Sequence, residues 1–167
     1  MGGSAVTAYA PEVHTSYDID FAAINGANRH EFGSAVAPLG FKAEGRDFVH
    51  AQTTYTLDLV ADTPYIDRHA ITEFEMLKTT LGLVRVIKFE DALADRVAAF
   101  LHWSDSQSLD VAEKALKKMA NDTDWRRVRR ALARLDTSLP KAAQRFKIAL
   151  GRLRRAYAAG KMSSKKS

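Results

Sequence analysis

At 167 residues, 46% hydrophobic and 27% charged, the chain can form one sizeable core or a small catalytic domain with a helical appendage. It is too short for two large domains and too polar for a membrane protein. The absence of cysteine removes disulfides, thiol nucleophiles and thiolate zinc sites together.

The net charge of +5 conceals a division. Residues 1–110 carry 8 Lys/Arg against 16 Asp/Glu, net −8, while residues 111–167 carry 17 against 4, net +13. Positive charge at that density is tolerated most easily where a polyanion or an acidic partner surface covers it. No apolar run approaches the roughly 18 residues of a bilayer span, and no basic-then-apolar signal region opens the chain, so the expectation is cytoplasmic residence without a membrane. The five histidines, His14, His30, His50, His69 and His102, form no pair at helical spacing, which leaves a hard cation on carboxylates as the favoured metal.

Taken along the chain, residues 3–10 are small and apolar and stop at Pro11, which predicts a short helix after a glycine turn. Residues 17–22 alternate polar and apolar, as a strand does. Residues 25–39 have helical spacing, closed by Pro38 and Gly40. Strands follow at 41–44 and 47–50, joined by a Gly45 turn, and at 53–60. Two more, 72–78 and 83–88, meet around Thr80-Leu81-Gly82. Beyond Lys88 the pattern is helical: 89–103 is amphipathic, 104–108 is a polar break and 109–119 is a further helix. Asp122 or Thr123 can cap a helix running to Leu135, and Ser138-Leu139-Pro140 opens a last one from Lys141 to about Ala159. Residues 160–167 have the composition of a frayed basic tail. The expected class is α+β, a small mixed sheet followed by a helical C-terminal region, divided into a catalytic core at 1–88, helices at 89–160 that are basic from about 111, and the tail at 161–167.

The residues that suggest chemistry are acidic. Asp18 and Asp20, two apart on a strand, project from one face, and two negative charges held together favour a cation such as Mg²⁺ between them. Asp58 interrupts the β-forming run 54–60, where an acid between leucines is unexpected unless it serves a site. Gly2-Gly3-Ser4 ahead of a helix offers free backbone N–H groups and a positive dipole end for a phosphate.

Taken in order, Gly-Gly-Ser, then Ser16-x-Asp18-x-Asp20, then a hydrophobic-Asp-hydrophobic strand resembles the signature of the nucleotidyltransferase superfamily. Within it, Ser16-Tyr17-Asp18-Ile19-Asp20-Phe21 is similar to the Ser-x-Asp-Leu-Asp-Phe core of AbiEii-type toxins of toxin–antitoxin systems. The resemblance covers roughly residues 2–60 and 88–111. It implies that Asp18, Asp20 and Asp58 hold Mg²⁺ and act in catalysis, and that Gly3, Ser4, Ser16 and Lys88 bind the NTP. The segment Asp91-Ala92-Leu93-Ala94-Asp95-Arg96-Val97 resembles a later family helix, in which Arg96 stands where a nucleotide-contacting lysine is usual. The family's Arg-Asp-x-x-Asp-like motif has its counterpart at His102–Asp110, which keeps the aspartates without the arginine, and Asp105 takes the catalytic aspartate's place. Members carry a hydrophobic strand and a helix ahead of their glycine pair. This chain begins at Met1, which reads as a truncated or late start that would open the sheet edge.

In the basic third, Val128, Leu132 and Leu135 share one helical face, as do Phe146, Leu150, Leu153 and Tyr157 in the last helix, and these stripes belong to a core. The arginines outside them, Arg126, Arg127 and Arg130 foremost, suit an RNA backbone. The leading expectation is a Mg²⁺-dependent nucleotidyltransferase toxin that moves nucleotides from an NTP onto an RNA acceptor, above all a tRNA 3′ end, and is restrained by a cognate antitoxin protein. A transferase modifying a protein or small molecule, and a catalytically silent nucleic-acid-binding module, are the alternatives.

Overall fold

The structure, a computed structural model, describes residues 2–24, 26–80 and 82–163. Met1, Asn25 of the helix expected at 25–39, Leu81 of the expected turn and residues 164–167 of the expected tail lie outside the described residues. In chain order the elements are α1 (Gly2–Tyr9), β1 (Asp18–Ala22), α2 (Arg29–Val36) with a 3-10 turn (Ala37–Leu39), β2 (Phe41–Glu44), β3 (Asp47–His50), β4 (Thr56–Ala61), β5 (Tyr65–Ile66), β6 (His69–Ala70), β7 (Phe74–Thr79), β8 (Gly82–Ile87), α3 (Phe89–Trp103), α4 (Ser106–Lys118), α5 (Trp125–Leu132) and α6 (Pro140–Ser163). The class is α+β, with a small mixed sheet and a helical C-terminal region.

The main sheet runs β1-β4-β3-β2, with β1 parallel to β4 and the other pairs antiparallel. Period-2 alternation divides its faces. Ile19, Leu57 and Phe48 pack with Phe32 and Val36 of α2, leaving Asp18, Asp20 and Asp58 to the opposite face. A capping box sets the start of α2: the Glu31 amide donates to the Asn28 side chain at 3.0 Å, and the Asn28 amide donates to Glu31 Oε2 at 2.9 Å.

The larger core lies outside this sheet. It joins Ala5, Val6 and Ala10 of the α1 region to α3, α4, α5 and α6, and takes in Ile66, Ile71 and Ile87. Leu93, Leu101, Leu109, Leu116, Leu132 and Leu153 are its fully buried large side chains. Trp125 stacks on Tyr157 with ring centroids 5.4 Å apart, and the Tyr157 hydroxyl donates to the Thr123 carbonyl at 3.1 Å, which docks α5 on α6. No described helix is long and apolar enough to cross a membrane.

Several boundaries differ from the expectations. The polar break at 104–108 is narrower, because Asp105 caps α4 by accepting the Ser108 amide and the helix already starts at Ser106. Asp124, rather than Asp122 or Thr123, caps α5, which ends at Leu132. The Thr123 hydroxyl instead donates to the Met119 carbonyl at 2.7 Å, behind α4. The short β5–β6 hairpin had no sequence signal, since two-residue strands are too short to show a period. It is tied down by Asp67, which accepts from His102 Nε2 and the Asp136 amide, each at 2.8 Å. Residues 160–163 belong to α6 and are no frayed tail: Gly160 is buried where the helix crosses the Lys117 carbonyl and Ala120 of the α4 end. Gly2 and Gly3 lie within α1 rather than in a turn, and the missing side chain of Gly2 makes room for the Asp95 carboxylate of α3.

Candidate functional site

Parallel pairing of β1 with β4 places Asp20 opposite Asp58 and Asp18 opposite Thr56. Partners in register point to the same side, so the three carboxylates expected to act together do share one face, although nearly 40 residues separate Asp58 from the other two. Asp18 Oδ1 accepts from the Thr56 hydroxyl at 2.9 Å. Asp58 Oδ2 is held by Arg46, whose Nε and Nη2 both lie at 2.8 Å, while Asp58 Oδ1 is buried without a hydrogen-bond partner. A buried carboxylate oxygen without a donor is costly, and a hard cation is the group that oxygen ligands of this kind satisfy. Among the described residues no three acidic or imidazole groups already converge as a metal cage. The donor chemistry of Asp20 and Asp58 fits Mg²⁺ as a pair, with Asp18 one step along the same face.

A second cluster gathers Gly3, Ser16 and Arg96. A β-carbon on Gly3 would sit 3.3 Å from Ser16 Oγ, 3.5 Å from Arg96 Nη1 and 3.6 Å from His14 Nε2, so a hydroxyl, a guanidinium and an imidazole gather close around the bare backbone. The Ser16 amide donates to Thr7 Oγ1 at 2.9 Å, the Thr7 hydroxyl donates to the Gly3 carbonyl at 3.1 Å, and the Ser16 hydroxyl donates to the Asp18 carbonyl at 3.0 Å. This chain of bonds ties the first turns of α1 to the start of the acidic strand.

Arg96 donates to Asp95 Oδ2 through Nη2 at 2.7 Å and to Ser108 Oγ through Nη1 at 3.2 Å. The Ser108 hydroxyl in turn donates to Asp105 Oδ2 at 2.6 Å. Asp105 therefore reaches Arg96 through Ser108, and the two bonds from Ser108 hold its carboxyl below the usual aspartate value. No motif or spacing in the sequence singles out His14. Burial, then the charge of Arg96, keeps its imidazole below the ordinary histidine value. No local spacing could have linked His14 to Arg96, since α1, the loop before β1 and α3 meet only in three dimensions.

Beside these clusters lies a largely apolar cleft of about 430 Å³, lined by Ser4 and Ser16, by Asp20 and Phe21 of β1, and by Tyr55 and Val84. Lys88, expected to bind the NTP with Ser4, is not in it. Lys88 lines a separate polar cleft of about 410 Å³ with Arg127 and Arg130. The root of the β7–β8 ribbon divides the two: the paired residues Phe74 and Ile87 face the first cleft, and their chain neighbours Glu73 and Lys88 face the second. Arg126, exposed on α5, is outside both.

Part of the basic third has internal work. Arg152 is bound to Asp110 at 2.7 Å and to Glu113, Arg145 donates to the Leu101 carbonyl at 2.7 Å, and Arg134 pairs with the buried Asp91. Comparison with family models, with curated proteins and with solved structures returned no match.

Proposed function

We propose that the chain is a Mg²⁺-dependent nucleotidyltransferase that passes a nucleoside monophosphate from an NTP to the hydroxyl of an RNA acceptor, a tRNA 3′ end foremost, with pyrophosphate leaving. As a member of a toxin–antitoxin pair it would be restrained by a cognate antitoxin. The observation that carries this reading is the register of β1 on β4, which sets Asp58, with its unpartnered oxygen, opposite Asp20 and on the face that Asp18 shares. Mg²⁺ held by these carboxylates would polarise the phosphoryl group and neutralise charge on the triphosphate.

The remaining steps belong to this chain's own groups. The apolar cleft has the size of a small-ligand site, with Tyr55 offering aromatic surface to a base and Asp20 in its lining. Ser16 lines the cleft, and behind it the Gly3 backbone and Arg96 place a charged fork of donors close to the Ser16 hydroxyl. Asp95 and Ser108 hold Arg96 in orientation, so little ordering is left for the ligand to impose.

A second reading, a nucleic-acid-binding module without catalysis, is favoured by the Arg46 contact, which already neutralises Asp58. Incubation of the chain with labelled NTPs, Mg²⁺ and total RNA, with products sized on a gel, separates the two. Labelled RNA that disappears with Asp20→Ala supports the transferase, and RNA retention without labelling supports the module.

A further inference from the structure

The second cleft is built from three stretches of chain, the 70–73 loop, the start of α3 and one face of α5. Two of its four cations are already matched: Lys88 pairs with Glu73, and Arg134 with Asp91, a carboxylate only 6% exposed. Among the described residues Arg127 and Arg130 make no ion pair or hydrogen bond through their guanidinium groups, although the charge of Arg127 reaches the Glu73 carboxylate, and Glu90 is the remaining carboxylate in the lining. The two arginines are three residues apart on α5, so their side chains rise from the helix about 5–6 Å from each other. Arg134 follows in the turn after α5 and is answered by Asp91, so Arg127 and Arg130 are two like charges on one helical face, an arrangement that costs energy until an anion answers it. A pair of planar, permanently charged forks matches phosphate oxygens bidentately, and a phosphate offers enough oxygens to engage both forks at once.

We propose that this cleft is a phosphate-binding site, in which Arg127 and Arg130 clamp a phosphate group belonging to a nucleotide or to a nucleic-acid strand. The matched pairs Lys88–Glu73 and Arg134–Asp91 form its walls. The site does not rest on the transferase reading, because none of its residues contacts Asp18, Asp20 or Asp58. The neighbouring arginines of the same helix, Arg126 and Arg129, do not line the cleft, which supplies a control of equal charge.

The test measures binding of two probes to the full chain at several salt concentrations, a short oligouridylate for the strand and inorganic pyrophosphate for the free group. The variants are R127Q/R130Q and the charge-matched R126Q/R129Q. Each lost charged contact is worth about tenfold, so R127Q/R130Q is expected to bind roughly a hundredfold more weakly. Its dependence of log affinity on log salt for the oligouridylate should flatten by about 0.7, the value for one phosphate of a single strand. R126Q/R129Q should bind within a few-fold of the unaltered chain. Loss on the oligouridylate assigns the site to a strand, and loss on pyrophosphate alone assigns it to a free phosphate. Equal losses in both double variants, or an unaltered chain that binds neither probe, overturn the proposal. Should the glutamine pair fail to fold, R127K/R130K decides at constant charge: a tenfold loss supports the fork, and unchanged binding defeats it. In buffer without Mg²⁺, where the carboxylate face has no cation with which to hold an anion, Asp20→Ala should bind the oligouridylate as the unaltered chain does, whatever becomes of transfer activity.

Discussion

Replacing Gly160 by alanine adds one methyl group at the place where α6 crosses the end of α4. The new carbon would meet the backbone carbonyl of Lys117 closer than contact distance, with the Ala120 β-carbon beside it. Neither neighbour can swing aside, since one is main chain and the other the first atom of its side chain, so the helices must separate locally. Overpacking of this kind costs about 1–3 kcal/mol. Alanine returns about 1 kcal/mol in helix propensity, leaving a net loss of up to about 2 kcal/mol. For a chain of this size that lowers Tm by up to about 8 °C. Gly151 in the same helix is the internal comparison, because its added carbon would find only Arg155 Nη1 at 3.6 Å. Gly151→Ala should therefore gain most of the propensity, up to about 1 kcal/mol. Thermal melts of both variants, followed by far-ultraviolet circular dichroism, measure the difference. Equal stabilisation by the two substitutions would refute the packing of residues 160–163 against α4.

Asp18→Ala and Asp20→Ala are each expected to lower nucleotide transfer by about a thousandfold or more, since a lost ligand removes several kcal/mol of charge stabilisation; turnover assays on folded variants check this, and near-normal turnover in both defeats the carboxylate site. Arg134→Met should destabilise the chain by roughly 1–3 kcal/mol by stranding the buried Asp91, less than for a fully buried pair because Arg134 is itself 41% exposed; denaturant unfolding reads it, and Asp91→Asn in the same background should recover part of the loss. Asp105→Ala should cost about 1 kcal/mol at neutral pH through the lost α4 cap. Because the folded-state value of Asp105 is depressed by its Ser108 bonds, its contribution is present at neutral pH and fades as pH falls through that depressed value. Asp105→Asn, which caps without titrating, should make the acid limb of a Tm–pH curve shallower, and an unchanged limb would remove Asp105 from the acid lability.

The strongly periodic elements were legible in the sequence. The bounds of α3 and of the 41–44 and 47–50 strands need only the apolar repeat and the turn at Gly45, because local pattern and tertiary burial agree there. Where capping decides, the pattern misleads by a few residues: Asp105, Asp124 and Asn28 each set a helix start that the apolar repeat alone puts elsewhere. Gly160 reads as the opening of a tail by composition, and only the crossing of α4 gives it a core role. The same limit governs the candidate sites. The spacing of Asp18 and Asp20 tells that they share a face, whereas the placement of Asp58 opposite Asp20 depends on register between strands that are far apart in the chain.

The arginine run of α5 shows the limit most clearly. Arg126, Arg127, Arg129 and Arg130 are equivalent as composition, and any reading of net charge assigns all four to one polyanion surface. The fold separates them by burying Val128 and Ala131 against the core, which fixes the rotation of the helix about its axis. With that rotation set, Arg127 and Arg130 fall on the side of Lys88 and Glu73, and Arg126 and Arg129 do not. A long-range field would treat the four alike, falling off over about 8–10 Å of salt solution, while contact chemistry distinguishes two from two. The difference between the charge-matched variants therefore measures how much of the basic character acts as a site and how much as a field.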